Sequence, residues 1–143
     1  MKKSVMTIAL IMLTFVSFAQ KTKEQNVPQL IKNSLIEKFP SAKNVKWDKE
    51  ENNFEASFKN NNIDNSILFN ANGKIIETEI AIEVNQLPKN ALQYLNDNFK
   101  NKKIKEAAKI ITEKGNTIYE AEIQGNDLFF DENGNHITKD KVS

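Results

Sequence analysis

The chain has 143 residues, 39% hydrophobic and 27% charged, with a formal net charge of +1. Every basic residue is a lysine, so there is no guanidinium fork for phosphate, and the near-neutral balance exerts no bulk pull on nucleic acid or anionic lipid. The absence of cysteine and the presence of only one histidine leave no disulfide framework and no ligand set for zinc.

Residues 1–19 read as a secretory signal peptide. Lys2 and Lys3 form the positive start, residues 5–18 are apolar apart from Thr7, Thr14 and Ser17, and Ser17 and Ala19 place small residues before a cut at Gln20. The apolar run falls short of the ~20 residues a membrane span needs. A lipid anchor would require a cysteine where Gln20 stands. The expectation is a mature chain in the periplasm or outside the cell, with no membrane span. Removing residues 1–19 takes away two lysines and leaves 18 against 19 acids. The remaining residues, 20–143, suit one compact domain.

After a polar lead-in over residues 20–26, Val27, Ile31, Leu35 and Phe39 recur every four positions, with Leu30 beside them. This spacing predicts a helix with one apolar stripe, entered at Pro28 and stopped by Pro40. The period then changes to two. Val45 and Trp47 alternate with Lys46 and Asp48, and Phe54, Ala56 and Phe58 alternate with Glu55 and Ser57, as in strands with one buried and one wet face. Asn72-Gly73 marks a hairpin. The run Ile76, Thr78, Ile80, Ile82, Val84 is long enough to join two halves.

The same order then returns. Leu87, Ala91, Leu95 and Phe99 form a second stripe behind Pro88, widened by Leu92 and Tyr94. Tyr119, Ala121 and Ile123 alternate with Glu120 and Glu122, and Asn133-Gly134 marks a second hairpin. The proline and phenylalanine landmarks are offset by 60 residues and the Asn-Gly pairs by 61. The expected fold is α+β: a tandem duplication, residues 27–84 and 87–138, of a helix plus about four antiparallel strands. Neither helix can bury its stripe alone, so both should pack on one face of a single antiparallel sheet.

A two-residue Asn-Gly loop would set Phe69 opposite Ile76 and Phe130 opposite Ile137. Those four would face the helices. Leu68, Ile75, Phe129 and His136 would lie on the open face, with Lys46, Asp48, Glu55, Ser57, Glu77, Glu79, Glu120 and Glu122. A few apolar groups amid charges form a candidate docking patch, although scattered exposed apolar residues are normal on any surface. The same register would place Asp131 across from His136 as a surface pair.

The catalytic inventory is nearly empty. Any triad or histidine-based metal site must draw on His136 alone. The acids of residues 131–135 lack the spacing of a calcium loop, and the hairpin explains them. Glu120 and Glu122 sit two apart on a wet strand face laced with lysines, which suits solvation better than glycoside hydrolysis. No phosphate-binding glycine loop and no nucleophile elbow is present. Trp47 falls on the inward period and reads as core.

The segments VPQLIKNSLIEKFPSAKNVKWDKEENNFEASF, LFNANGKIIETE, LPKNALQYLNDNF, YEAEI and FFDENG resemble the PepSY-like, beta-lactamase-inhibitor-like family of small exported bacterial proteins. The resemblance covers nearly all of residues 20–143. It implies two similar α/β repeats sharing one sheet, no catalytic residues to carry over, and a kinship of fold with an inhibitor that grips an enzyme through its open sheet face. It also implies kinship with modules that restrain secreted peptidases. Fold kinship is an analogy for function, and the lack of cysteine separates this chain from disulfide-bearing inhibitors.

The expected function is therefore an exported, non-enzymatic binding module without cofactor or metal. Its partner would be an envelope or secreted protein, peptidase-like by analogy only, and its face would comprise Leu68, Ile75, Phe129, His136, Glu55, Glu120 and Glu122. Self-association through the open face or an edge strand is a further expectation. The alternative is a periplasmic carrier of a small molecule or ion, which requires a concave pocket where the repeats meet.

Overall fold

Period-four stripes become helices and period-two stretches become strands along residues 20–138, which the computed structural model describes. The expected signal peptide, residues 1–19, lies outside the described residues. Strand β1 (Gln20–Thr22) leads into helix α1 (Gln29–Lys38) and strands β2 (Lys43–Glu50), β3 (Asn53–Asn60), β4 (Ile63–Phe69) and β5 (Ile75–Ala81). Helix α2 (Lys89–Asn98) follows, with β6 (Ile104–Thr112), β7 (Thr117–Ile123), β8 (Asn126–Asp131) and β9 (His136–Ile137). The strands form one antiparallel sheet in chain order from β1 to β9. The two halves meet where β5 pairs with β6, Glu77 opposite Thr112 and Ala81 opposite Ala108.

Each helix starts at its proline. The Pro28 carbonyl accepts from the amides of Ile31 and Lys32, and the Pro88 carbonyl from that of Leu92. The stripes then bury as their spacing requires. Val27, Ile31 and Leu35 pack on Trp47, Phe54, Ala56, Phe58, Ile67 and Phe69. Leu87, Ala91 and Leu95 pack on Ala107, Ala121 and Phe130. Trp47 is core, its ring 6.3 Å from that of Phe69. Leu30 stays more than half exposed, over the first hairpin turn.

The hairpins differ from expectation by one residue. The Asn70 amide donates to the Lys74 carbonyl and the Gly73 amide to the Asn70 carbonyl, which closes a three-residue loop, Ala71-Asn72-Gly73. The second hairpin repeats this with Asp131, Gly134 and Asn135. The cause is the residue ahead of each loop. Asn70 Oδ1 accepts from the amides of Asn72 and Lys74, and Asp131 Oδ1 from those of Asn133 and Asn135, holding a type I turn that ends on a left-handed glycine. A one-residue slip flips the faces beyond it.

Phe69 therefore faces Ile75, not Ile76, and Ile75 packs against the α1 core. A bulge at this point returns Glu77 to its expected place opposite Leu68. No such bulge follows the second turn. Phe130 faces His136 and Phe129 faces Ile137, so His136 and Ile137 exchange their expected sides.

Each turn also docks on its helix. A Cβ on Gly134 would come within 2.8 Å of the Ala91 amide nitrogen and of Pro88 Cβ, while one on Gly115 would meet nothing within 4 Å. Both glycines have positive φ, so both alanine variants carry the left-handed strain of ~1–2 kcal/mol. Gly134→Ala should cost at least ~1 kcal/mol more than Gly115→Ala, because the α2 backbone must also move. Urea midpoints of the two variants measure the difference.

Candidate functional site

The helices cover one side of the sheet and leave the other without a covering element among the described residues. Pairing fixes what the open side carries. One row across the strands reads Asp48, Glu55, Leu68, Glu77, Thr112. The next reads Lys46, Ser57, Ser66, Glu79, Ile110, Ile118, Asp131. Beyond them lie Ala81, Ala108, Glu120, Phe129 and Ile137, then Glu106, Glu122 and Asp127.

Charge is segregated on this face. The acids occupy its middle, and the lysines stand at its rims. Lys46 lies past the three residues that β1 covers, Lys59 is held by Asp64 at 3.3 Å, and Lys105 by Glu122 at 2.9 Å. The expectation of a face laced with lysines around Glu120 and Glu122 is thus corrected for its centre.

Several of the carboxyls are also drawn out of water. In the middle of the face Glu55 is 4% and Glu120 5% exposed. Burial pushes the Glu55 carboxyl up to about 8, against a hydrogen bond from Ser66 that lowers it, with Glu50, Asp48 and Glu79 adding repulsion. Burial likewise raises Glu77 to about 7, with Glu50 contributing, and Glu79 to about 7, with Glu77, Asp127 and Glu106 contributing. Glu50 is raised by burial and by Asp48. Glu79 feels Asp127 although β6 and β7 lie between their strands, so one field spans both halves.

The predicted face residues divide. Leu68, Glu55, Glu120 and Glu122 lie on the open face, Leu68 half-buried. Phe129 is there too, but buried in a small cluster with Ile110, Ile118 and Ile137, and offers little surface. Ile75 belongs to the α1 core. His136 lies on the helix side, stacked on Tyr94 with ring centres 4.7 Å apart. The Asp131–His136 pair does not form. Asp131 turns to its own loop, where the side chain and amide of Asn135 hold its carboxyl below the ordinary range. Glu77 and Glu79 stand on the open face as expected, and Glu106 and Asp127 complete the acidic field. Pairing β6 through β8 in one register is the signal that finds the latter two.

Chemically, the face presents carboxyls that exchange protons near neutral pH, two serine hydroxyls and one half-buried leucine. Among the described residues no group of three histidine, cysteine or acidic side chains is placed to hold a metal ion, and no helix is long and apolar enough to cross a membrane. A carrier would need a pocket where the halves meet. There β5 and β6 pair as a continuous ladder, and a surface depression of about 390 Å³ lies at the outer end of the sheet, lined in part by Gly125, Asp127, Phe129 and Ile137.

The sequence matches the model of a family described as "Putative beta-lactamase-inhibitor-like, PepSY-like" over residues 18–77 and again over 52–138. No curated protein matches it. Among solved structures it is similar to a "putative periplasmic" protein of Bacteroides eggerthii (13% identity, 78% of this chain and 86% of that one, TM-score 0.72). It is also similar to a DUF2874 family protein of Bacteroides uniformis (16% identity, 78% and 86%, TM-score 0.71). A third is a BLIP-like protein of Bacteroides fragilis (21% identity, 78% and 83%, TM-score 0.61). At these identities the likeness shows a shared fold.

Proposed function

Because the chain belongs to the "Putative beta-lactamase-inhibitor-like, PepSY-like" family, we propose that it is a non-enzymatic binding module that holds a protein partner against its open sheet face. The partner is an envelope or secreted protein. The reading includes export, with residues 1–19 removed, and a tandem origin for the two helix-plus-four-strand halves; the "putative periplasmic" relative and the two overlapping family matches support these parts.

One observation carries the proposal. A sheet face nine strands wide has no covering element among the described residues and crowds carboxyls together in its middle, an arrangement unfavourable for folding alone. A half-buried Leu68 beside charged groups is the composition of an interface in which a small apolar centre meets polar surroundings.

A bulky obstruction tests it. Ser57→Trp fills the open face, while Lys32→Trp adds the same bulk to the flank of α1, on the other side of the sheet. The Ser57→Trp variant should fail to capture the partner that the unmodified protein retains from envelope extract, and Lys32→Trp should capture it normally. Equal capture by both would remove the open face from the binding surface.

A further inference from the structure

The middle of the open face is acidic, and a carboxyl oxygen of Glu55 there lacks a hydrogen-bond partner. Glu55 Oε1 accepts from Ser66 Oγ, but Oε2 is buried and has no hydrogen-bond partner. Native proteins leave few buried polar atoms unsatisfied, and each one asks for a reason. Glu77 and Glu79 stand nearby on the same side of β5, the central strand, and Glu106 follows on β6. Like charges held at this density, with lysines only at the rims, are complementary to a cationic occupant.

We propose that this face receives a lysine- or arginine-bearing segment of the partner polypeptide, whose cationic side chains meet Glu55, Glu77 and Glu79. The inference rests on the binding reading above and names the chemistry of the occupant. The spacing of the acids favours a polypeptide over a metal ion. Glu55 and Glu77 lie on strands separated by β4, and two strand spacings amount to ~10 Å. Among the described residues no three of these acids are placed to share one metal ion, whereas neighbouring cationic side chains of one segment can each meet a different carboxyl. The Ser57 and Ser66 hydroxyls between these acids can accept the remaining N–H groups. Burial raises the three carboxyls toward neutral pH and Glu79 is further raised by Glu77, Asp127 and Glu106, the opposite of what a resident cation of this chain would do.

Amide NMR of the ¹⁵N-labelled chain, as its cells process it, tests the inference at pH 8 and 0.15 M salt. The probes are an octalysine peptide, a glycine-alanine peptide of equal length, and calcium chloride at matched ionic strength. Octalysine should shift amides of β3 to β6 around the three acids, and the neutral peptide should not. The double variant Glu77→Gln/Glu79→Gln should weaken octalysine binding about tenfold or more, while Glu37→Gln on α1 should leave it unchanged.

Undiminished binding by the double variant, or shifts scattered over every acidic surface, would overturn the inference. So would calcium giving the same shifts and displacing octalysine. Capture of the natural partner separates the two levels. If the double glutamine variant captures it normally while Ser57→Trp does not, the cationic occupant is wrong and the binding face stands. If Ser57→Trp also captures it, the binding reading itself falls.

Discussion

Raising the pH from 5 to 8 should destabilise the fold by several kcal/mol, with Glu55 the largest contributor. Unfolded, each glutamate titrates near its ordinary value of 4.5; folded, Glu55 titrates at about 8 and Glu77 and Glu79 at about 7. Between 4.5 and those values the folded chain holds protons that the unfolded chain has released, so rising pH favours unfolding. The stability is fully present below 4.5 and is lost as pH climbs through 7 to 8. Each unit of difference is worth ~1.4 kcal/mol, which makes the total at least on the order of 3 kcal/mol even after relaxation of the site.

Glu55→Gln should remove the largest single share of this dependence and leave the part carried by Glu77 and Glu79. The amide keeps the shape and an acceptor for Ser66, and it cannot ionise. The variant should match the parent near pH 5 and exceed it at pH 8. Urea unfolding at pH 5, 6, 7 and 8 measures both curves. A parent whose stability is flat or rises over that range would show that these carboxyls are solvated. Asp131, whose carboxyl is lowered by Asn135, acts only at acid pH and does not confuse the window.

Phe130→Ala should cost about 3–5 kcal/mol, enough to unfold a large fraction of a marginal domain. Phe130 is 0% exposed and packs with Leu87, Ala91 and Leu95 of the α2 core. Its ring meets Tyr94 at 5.7 Å and His136 at 5.8 Å, both edge to face, and such pairs add ~0.5–1.5 kcal/mol each beyond burial. Phe69→Ala, equally buried under α1 against Trp47, should cost a similar amount. Denaturant unfolding of both variants checks the figure, and a loss under ~1 kcal/mol in either would mean that its half can repack around the gap.

Sequence periodicity carried most of the architecture. Val27, Ile31 and Leu35 could bury only as a helical stripe, and Phe54, Ala56 and Phe58 only as one side of a strand. The hairpins were harder because an Asn-Gly pair serves loops of two residues and of three. The deciding groups were Asn70 and Asp131, whose side chains fold back onto the amides ahead and lengthen the loop. That single residue moved Ile75 into the core and His136 beside Tyr94.

The acidic field was less legible for a different reason. Alternation places Glu55, Glu77, Glu79, Glu120 and Glu122 on the open face, but residues 20–143 have nearly equal numbers of lysines and acids, and only strand pairing shows the lysines standing at its rims. The burial of Glu55 is a property of the assembled sheet, which alternation along one strand does not express.

Occupancy of the open face by a partner is measured most directly by photo-crosslinking in the cells that express the protein. Photo-activatable side chains at Ser57, Leu68 and Thr112 on that face, and at Ile36 and Lys32 on α1, report which surface is covered. Covalent adducts with one partner from the first three positions and none from the other two are the predicted result. Adducts confined to Ile36 and Lys32 would contradict it.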